Sequence, residues 1–161
     1  MMDVVDKDSS QTELDKFSFQ YRDTVLQAIR YPGRVLPFVA FNPLRYQNNR
    51  VTVDDALANV RYALETGECV GVKLYPSLGY GAKEKTIKTL FATCASYKAP
   101  IIMHCNDGGF SGPELYDPDN CFPEDWGALA ADYAVRIDFA HFGEQNRQTP
   151  YNTRPMHGKL L

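Results

Sequence analysis

The sequence of 161 residues contains no C-x-x-C pair, no long apolar run and no cluster of basic side chains. Without a C-x-x-C pair the four cysteines do not form a typical zinc or redox motif, and we expect them to be reduced thiols of a cytoplasmic protein. The first ten residues, MMDVVDKDSS, lack the apolar run of a signal peptide, and no segment resembles a membrane-spanning helix. The lysines and arginines are scattered and the net charge is −3, which argues against nucleic acid or an anionic membrane as the main partner. A small molecule is therefore the expected ligand.

Apolar residues make up 44% of the chain, enough for a sizeable core in one domain over 1–161. We expect residues 1–10 to be disordered and residues 145–161 to form an irregular tail. Between them, helical and strand-like patterns alternate four times. The predicted helices cover about 11–30, 52–66, 82–97 and 122–133, and the predicted strands cover 34–42, 69–76, 100–105 and 135–142. This alternation, with short connections, indicates parallel strands joined by right-handed crossovers.

Three chemically versatile side chains, Lys73, His104 and His141, each stand near the carboxyl end of a different predicted strand. Parallel strands bring their carboxyl ends to one rim, where the ligands and catalytic groups of α/β proteins collect. In strand 69–76 the alternation places Lys73 and Tyr75 on one face, which we expect to line the inside of a barrel or the crevice of a sheet. The opposite face is apolar and suits packing under helices; it is formed by Val70, Val72 and Leu74.

Two polar residues, Asn106 and Asp107, directly follow the strand that ends in His104. Together with Tyr75 they are candidate substrate contacts, although an Asx turn that ends the strand explains Asn106 and Asp107 equally well. The glycine-rich segment 108–112 matches neither the dinucleotide-binding nor the P-loop pattern, so we interpret it as a mobile loop at the active site.

The chemistry of the three rim residues has several interpretations. Imidazoles on adjacent strands can bind a divalent metal that activates water, or they can shuttle protons. Lys73 could bind a substrate carboxylate, become carboxylated and bridge metals, or form a Schiff base. The structural alternatives are a core histidine at His104 and a lysine that neutralises a carboxylate such as Asp107. His157, in the irregular tail, is expected to be solvated.

Four segments, VLPFVAFNP, GVKLYPSLGYG, PIIMHCNDGG and RIDFAHFG, follow one another in the order typical of one enzyme family. Over about residues 20–144 the chain resembles the amidohydrolase-related metal-dependent hydrolases, which have a TIM-barrel fold. The resemblance implies that His104 is a metal ligand and that His141 is a second ligand or a catalytic residue. It also implies a divalent metal, with zinc the first expectation, and a carboxylated lysine at Lys73 in some members.

The chain departs from this family in two ways. It lacks the H-x-H of the first strand and the aspartate of the eighth, and its 161 residues supply about four strands, whereas a full barrel needs on the order of 250 residues. We therefore expect a partial (β/α)8 barrel that is a piece of a longer chain or a half barrel that associates with a second copy. The leading hypothesis is a metal-dependent hydrolase or related decarboxylase; the alternatives are a Schiff-base lyase that uses Lys73 and a non-catalytic binding module.

Overall fold

A computed structural model describes residues 11–44, 52–105 and 118–141. Helices and strands alternate throughout. In chain order they are α1 (Gln11–Arg30), β1 (Phe38–Ala40), α2 (Val53–Glu65), β2 (Gly71–Leu74), α3 (Lys85–Tyr97), β3 (Ile101–His104), α4 (Pro123–Asp132) and β4 (Ile137–Ala140). Short 3-10 turns cover Pro76–Leu78 and Pro118–Cys121. The predictions for residues 1–10, Asn106, Asp107, loop 108–112, tail 145–161 and His157 lie outside the described residues.

The four described strands form one parallel sheet in the order β1-β2-β3-β4. Because each strand lies beside the next in sequence and the crossovers are right-handed, α2, α3 and α4 all lie on the same face of the sheet. Successive crossover helices contact each other on that face. This arrangement is half of a (β/α)8 barrel, and it confirms the fold predicted from the sequence.

The core lies between the sheet and its crossover helices. Val39, Val72 and Ile101 occupy one row across the first three strands and are completely buried. They pack in one cluster with the apolar faces of α2 and α3, which are formed by Leu57, Val60, Ala63, Ile87, Leu90 and Phe91. Trp126 of α4 belongs to the same cluster.

The strands are shorter than the apolar runs predicted. Pro37 has no N–H to donate to a ladder, and β1 begins only after it. Val70 was predicted to share the buried face of β2, but it precedes the strand and its side chain is 41% exposed. In β4 the ladder ends at Ala140 because the next residue leaves the extended conformation.

The inner face of the sheet, opposite the crossover helices, is filled differently at its two ends. At the amino end, Phe38 of β1 lies directly over its cross-strand neighbour Gly71, where a Cβ atom would collide with the Phe38 ring and with the carbonyl oxygen of Pro100. At the carboxyl end the same face carries Lys73 and the histidine of β3. The polar groups are therefore concentrated at one rim.

Candidate functional site

Four side chains meet at the carboxyl rim of the sheet, and we call them the rim cluster: Lys73, Tyr75, His104 and His141. The ring of Tyr75 stacks on that of His104 with centroids 4.1 Å apart and an angle of 23° between the planes. The ring of His141 meets His104 edge-on, with centroids 4.7 Å apart. The ammonium nitrogen of Lys73 lies 5.9 Å from the centre of the Tyr75 ring. The structure thus brings together every described residue that the sequence nominated for the site.

The register of the sheet explains most of this convergence. Leu74 pairs with Met103, so the residues that follow them, Tyr75 and His104, lie side by side at the ends of β2 and β3. His104 in turn pairs with Ala140, the last residue of β4. Lys73 and Tyr75 project from the inner face, as the alternation predicted, because side chains two apart on a strand share a face.

His141 reaches the cluster through an unusual backbone conformation. Because Ala140 shares the face of His104, regular alternation would point the next side chain to the opposite face. Instead, His141 has φ of 68°, in the left-handed region that residues other than glycine seldom adopt. This turn directs the His141 ring towards His104. Strained backbone of this kind is concentrated at functional sites, where the surrounding structure maintains it.

Lys73 is held in an environment that favours its neutral form. Desolvation by burial lowers the pKa of the Lys73 ammonium from 10.5 to about 8, although Asp138 and, to a smaller extent, Cys121 act in the opposite direction. Asp138 lies in the same row as Lys73, on the far side of Ile102. Asp107, named from the sequence as the neutralising carboxylate, lies outside the described residues, so Asp138 is the described carboxylate that acts on this amine.

Tyr80 is a part of the site that the sequence pattern does not mark, because it lies between the predicted strand 69–76 and the predicted helix 82–97. Gly79, with φ of 110°, ends the 3-10 turn and directs the chain back under the rim, where Tyr80 is buried. The Tyr80 hydroxyl accepts a hydrogen bond from the backbone N–H of Tyr75 at 2.6 Å and donates one to the carbonyl of Phe41 at 3.3 Å. It therefore joins the carboxyl ends of β1 and β2.

Burial keeps the thiols of Cys94 and Cys105 protonated and therefore unreactive. Cys105 follows His104 and is fully buried, and burial raises the pKa of its thiol to about 12. Cys94, in the core of α3, has a thiol pKa raised to about 12 by the same cause. All four cysteines are buried and none is in a disulfide, as expected from their spacing.

The distance between the ring centres of the two histidines is close to that of two imidazoles bound to one metal ion. Two imidazoles bound to one zinc ion at Zn–N distances of about 2.0–2.1 Å and a tetrahedral angle have ring centres about 5 Å apart, and the centres of His104 and His141 are 4.7 Å apart. Within the described residues, however, no group of three or more His, Cys, Asp or Glu side chains is arranged to hold a metal. In the described part of the chain, two imidazoles therefore lie close together without a third side chain of this kind beside them.

A cavity of about 640 Å³ lies beside the rim, between the starts of α3 and α4. Its walls include Trp126 and the exposed ion pair between Lys83 and Asp125, whose charged atoms are 2.9 Å apart. None of the rim cluster lines this cavity, so it is separate from the candidate site.

Comparison with solved structures places the fold. An uncharacterized TIM-barrel protein from Bordetella bronchiseptica is similar to this chain with a TM-score of 0.54 and 22% sequence identity. The match covers 73% of this chain and 38% of the other, so the chain spans well under half the length of that barrel. No protein-family model and no curated protein sequence matches the chain. Among the described helices, none combines the length and apolarity needed to cross a bilayer.

Proposed function

We propose that the chain forms part of the active site of a metal-dependent hydrolase, or of a related decarboxylase, that acts on a small molecule. The observation that carries this proposal is the 4.7 Å separation of His104 and His141 at the carboxyl rim of a parallel sheet. The left-handed backbone of His141 supports it further, because the residue adopts a costly conformation that brings its imidazole to the other one.

Within this proposal the two histidines have different roles. His104 is almost fully buried, with the Tyr75 ring stacked on it and the His141 ring meeting it edge-on, and is suited to hold a divalent ion in a fixed position. His141 is exposed and can reach a substrate or move a proton at its ring nitrogen. A divalent ion, with zinc as our first choice, supplies Lewis-acid activation of water when bound. The remaining ligands must come from residues outside the described part of the chain, in the same copy or in a second copy of it.

Metal binding by the purified chain tests this function directly. We expect Co²⁺, a spectroscopic substitute for zinc, to give an absorption band that His104→Ala and His141→Ala abolish. His157→Ala is the matched control and should retain the band. Elemental analysis after dialysis against zinc should give the same order among the three variants. Equal losses from His104→Ala and His157→Ala, or no binding by the unmodified chain, would contradict the proposal.

Lys73 favours a second candidate, a lyase that forms a Schiff base. A pKa near 8 leaves a substantial share of neutral, nucleophilic amine at physiological pH. Borohydride trapping with small carbonyl compounds should then attach one adduct to Lys73 and none in Lys73→Met. Trapping without metal binding would favour the lyase, and metal binding without trapping would favour the hydrolase.

A further inference from the structure

We infer that Tyr80 is a positioning residue of the rim: its hydroxyl replaces the last rung between β1 and β2, and this holds Tyr75 in the place from which its ring orients His104. Nothing in the sequence pattern marks Tyr80 for such a role. The geometry of the ladder does.

The hydroxyl stands where a backbone hydrogen bond would otherwise form. Phe41 N–H donates to the carbonyl of Lys73 at 3.1 Å, which continues the β1–β2 ladder one residue beyond β1. In a regular parallel ladder the next bond runs from the N–H of Tyr75 to the carbonyl of Phe41. Both of these groups bind the Tyr80 hydroxyl instead. One oxygen, acting as acceptor and donor, thus separates the two strands at the rim.

This separation determines where Tyr75 lies. With the hydroxyl inserted, the backbone of Tyr75 is kept away from β1, and its ring lies over the imidazole of the neighbouring β3 at 4.1 Å. If the hydroxyl were absent, the N–H of Tyr75 could close onto the carbonyl of Phe41 and draw Tyr75 towards β1. The ring would then leave His104, and His104 would lose one of the two rings that hold it.

Tyr80 is itself firmly anchored, as a positioning residue must be. Its ring is 1% exposed and meets Trp126 edge-on, with centroids 6.4 Å apart. The indole N–H of Trp126 donates to the carbonyl of Asn120 at 2.7 Å, which fixes the indole in turn. Tyr80 thereby connects the core on the helix side to the rim.

Tyr80→Phe tests the inference because it removes the hydroxyl and keeps the ring. The chain has three histidines, so each imidazole signal in an NMR spectrum can be assigned by substitution. The His104 ring protons lie over the Tyr75 ring and are shielded by it. At a fixed pH of 8 we expect Tyr80→Phe to move them downfield, in the direction given by Tyr75→Leu, which removes the stacking ring. Tyr133 packs on Phe91 away from the ladder, so Tyr133→Phe should leave the His104 signals unchanged.

A double variant distinguishes a positioning role of Tyr80 from a purely structural one. If Tyr80 acts through Tyr75, Tyr80→Phe combined with Tyr75→Leu should move the His104 signals no further than Tyr75→Leu alone. A lower melting temperature for Tyr80→Phe with the His104 signals in place would overturn the inference. Tyr75→Leu provides an independent check if Tyr80→Phe fails to fold, because unchanged His104 signals in that variant would show that the stack does not orient the imidazole.

A metal-binding measurement extends the test, and this part alone rests on the proposed function. Removing a group that orients a ligand from behind typically weakens metal binding about 10-fold or more. We expect Tyr80→Phe to weaken Co²⁺ binding by about that factor, with Tyr133→Phe unchanged. Absence of Co²⁺ binding in every variant, together with the His104 shift, would refute the metal site and leave the positioning role intact.

Discussion

Replacing Lys73 with methionine should make the protein more stable at neutral pH, and the gain should fade as the pH rises. The lowering of the Lys73 pKa from 10.5 to about 8 corresponds to about 3 kcal/mol of preference for the neutral amine. Solvent reaches this half-buried side chain and screens part of the effect, so we expect about 1–2 kcal/mol in the free energy of unfolding.

The sign follows from proton linkage. Well below pH 8 the amine is protonated in both states, and the folded protein carries the full penalty of a partly desolvated charge. Between pH 8 and 10.5 the Lys73 amine binds more protons in the unfolded chain than in the folded one, so its contribution makes stability rise with pH. Buried thiols act oppositely: the pKa of Cys94 and of Cys105 is raised to about 12, and unfolding releases their protons at alkaline pH. The contribution of Lys73 to the free energy of unfolding must therefore be measured as the difference between the unmodified protein and the Lys73 variant.

Urea unfolding of the unmodified protein and of Lys73→Met, at several values between pH 7 and pH 10, measures that difference. Methionine also adds a constant apolar contribution, so the change of the difference with pH is the decisive quantity, and it should shrink steadily above pH 8. Lys88→Met, at an exposed position on α3, is the matched control and should give a constant difference. A constant difference for Lys73→Met as well would refute the burial of the amine.

Three further predictions follow from the same geometry. Gly71→Ala should lower the free energy of unfolding by about 1–3 kcal/mol, because the added methyl group collides with the Phe38 ring. Gly127 lies in open space on α4, so Gly127→Ala should raise the free energy of unfolding by about 0.5–1 kcal/mol. Urea titrations of the two variants measure both changes. Asp138→Asn should lower the Lys73 pKa below 8 by removing an attractive negative charge, so amine labelling of Lys73 should begin at lower pH; an unchanged labelling profile would exclude the pairing. Since β1 and β4 each have one strand neighbour in the described sheet, the isolated chain should self-associate through these edges; sedimentation showing a compact monomer across a wide concentration range would contradict this.

The order of elements could be predicted from the sequence because each buried strand carries a short apolar run and each helix a 3.6-residue period. The ends of the elements were less accurate, because an apolar run can continue past the last residue of a strand. Val70 illustrates the difference: it extends the alternation of β2, yet it precedes the strand and is exposed. The sequence pattern reflects which side chains are apolar, whereas the end of a strand is determined by backbone pairing.

The composition of the site was partly readable for a related reason. Parallel strands deliver their last residues to one rim, so Lys73, His104 and His141 could be grouped without knowing the register. Asp138 could have been found by the same rule, because alternation in VRIDFAHF places it on the inner face with Ala140. The prediction named Asp107 instead, because Asp107 closely follows the strand that carries His104.

The features that shape the site arise where the alternating pattern stops. His141 turns towards His104 through a left-handed φ, and Tyr80 replaces a backbone rung with its hydroxyl. Both features involve the backbone one residue past a strand end. At that point the alternation of side chains no longer indicates the face towards which a side chain points. A histidine one residue after a strand is equally compatible with either face until its φ is known, and a tyrosine five residues past Tyr75 gives no sign that it folds back. The contacts most relevant to chemistry therefore depend on the local backbone path, and substitutions that alter that path at these two residues should change the rim while leaving the sheet in place.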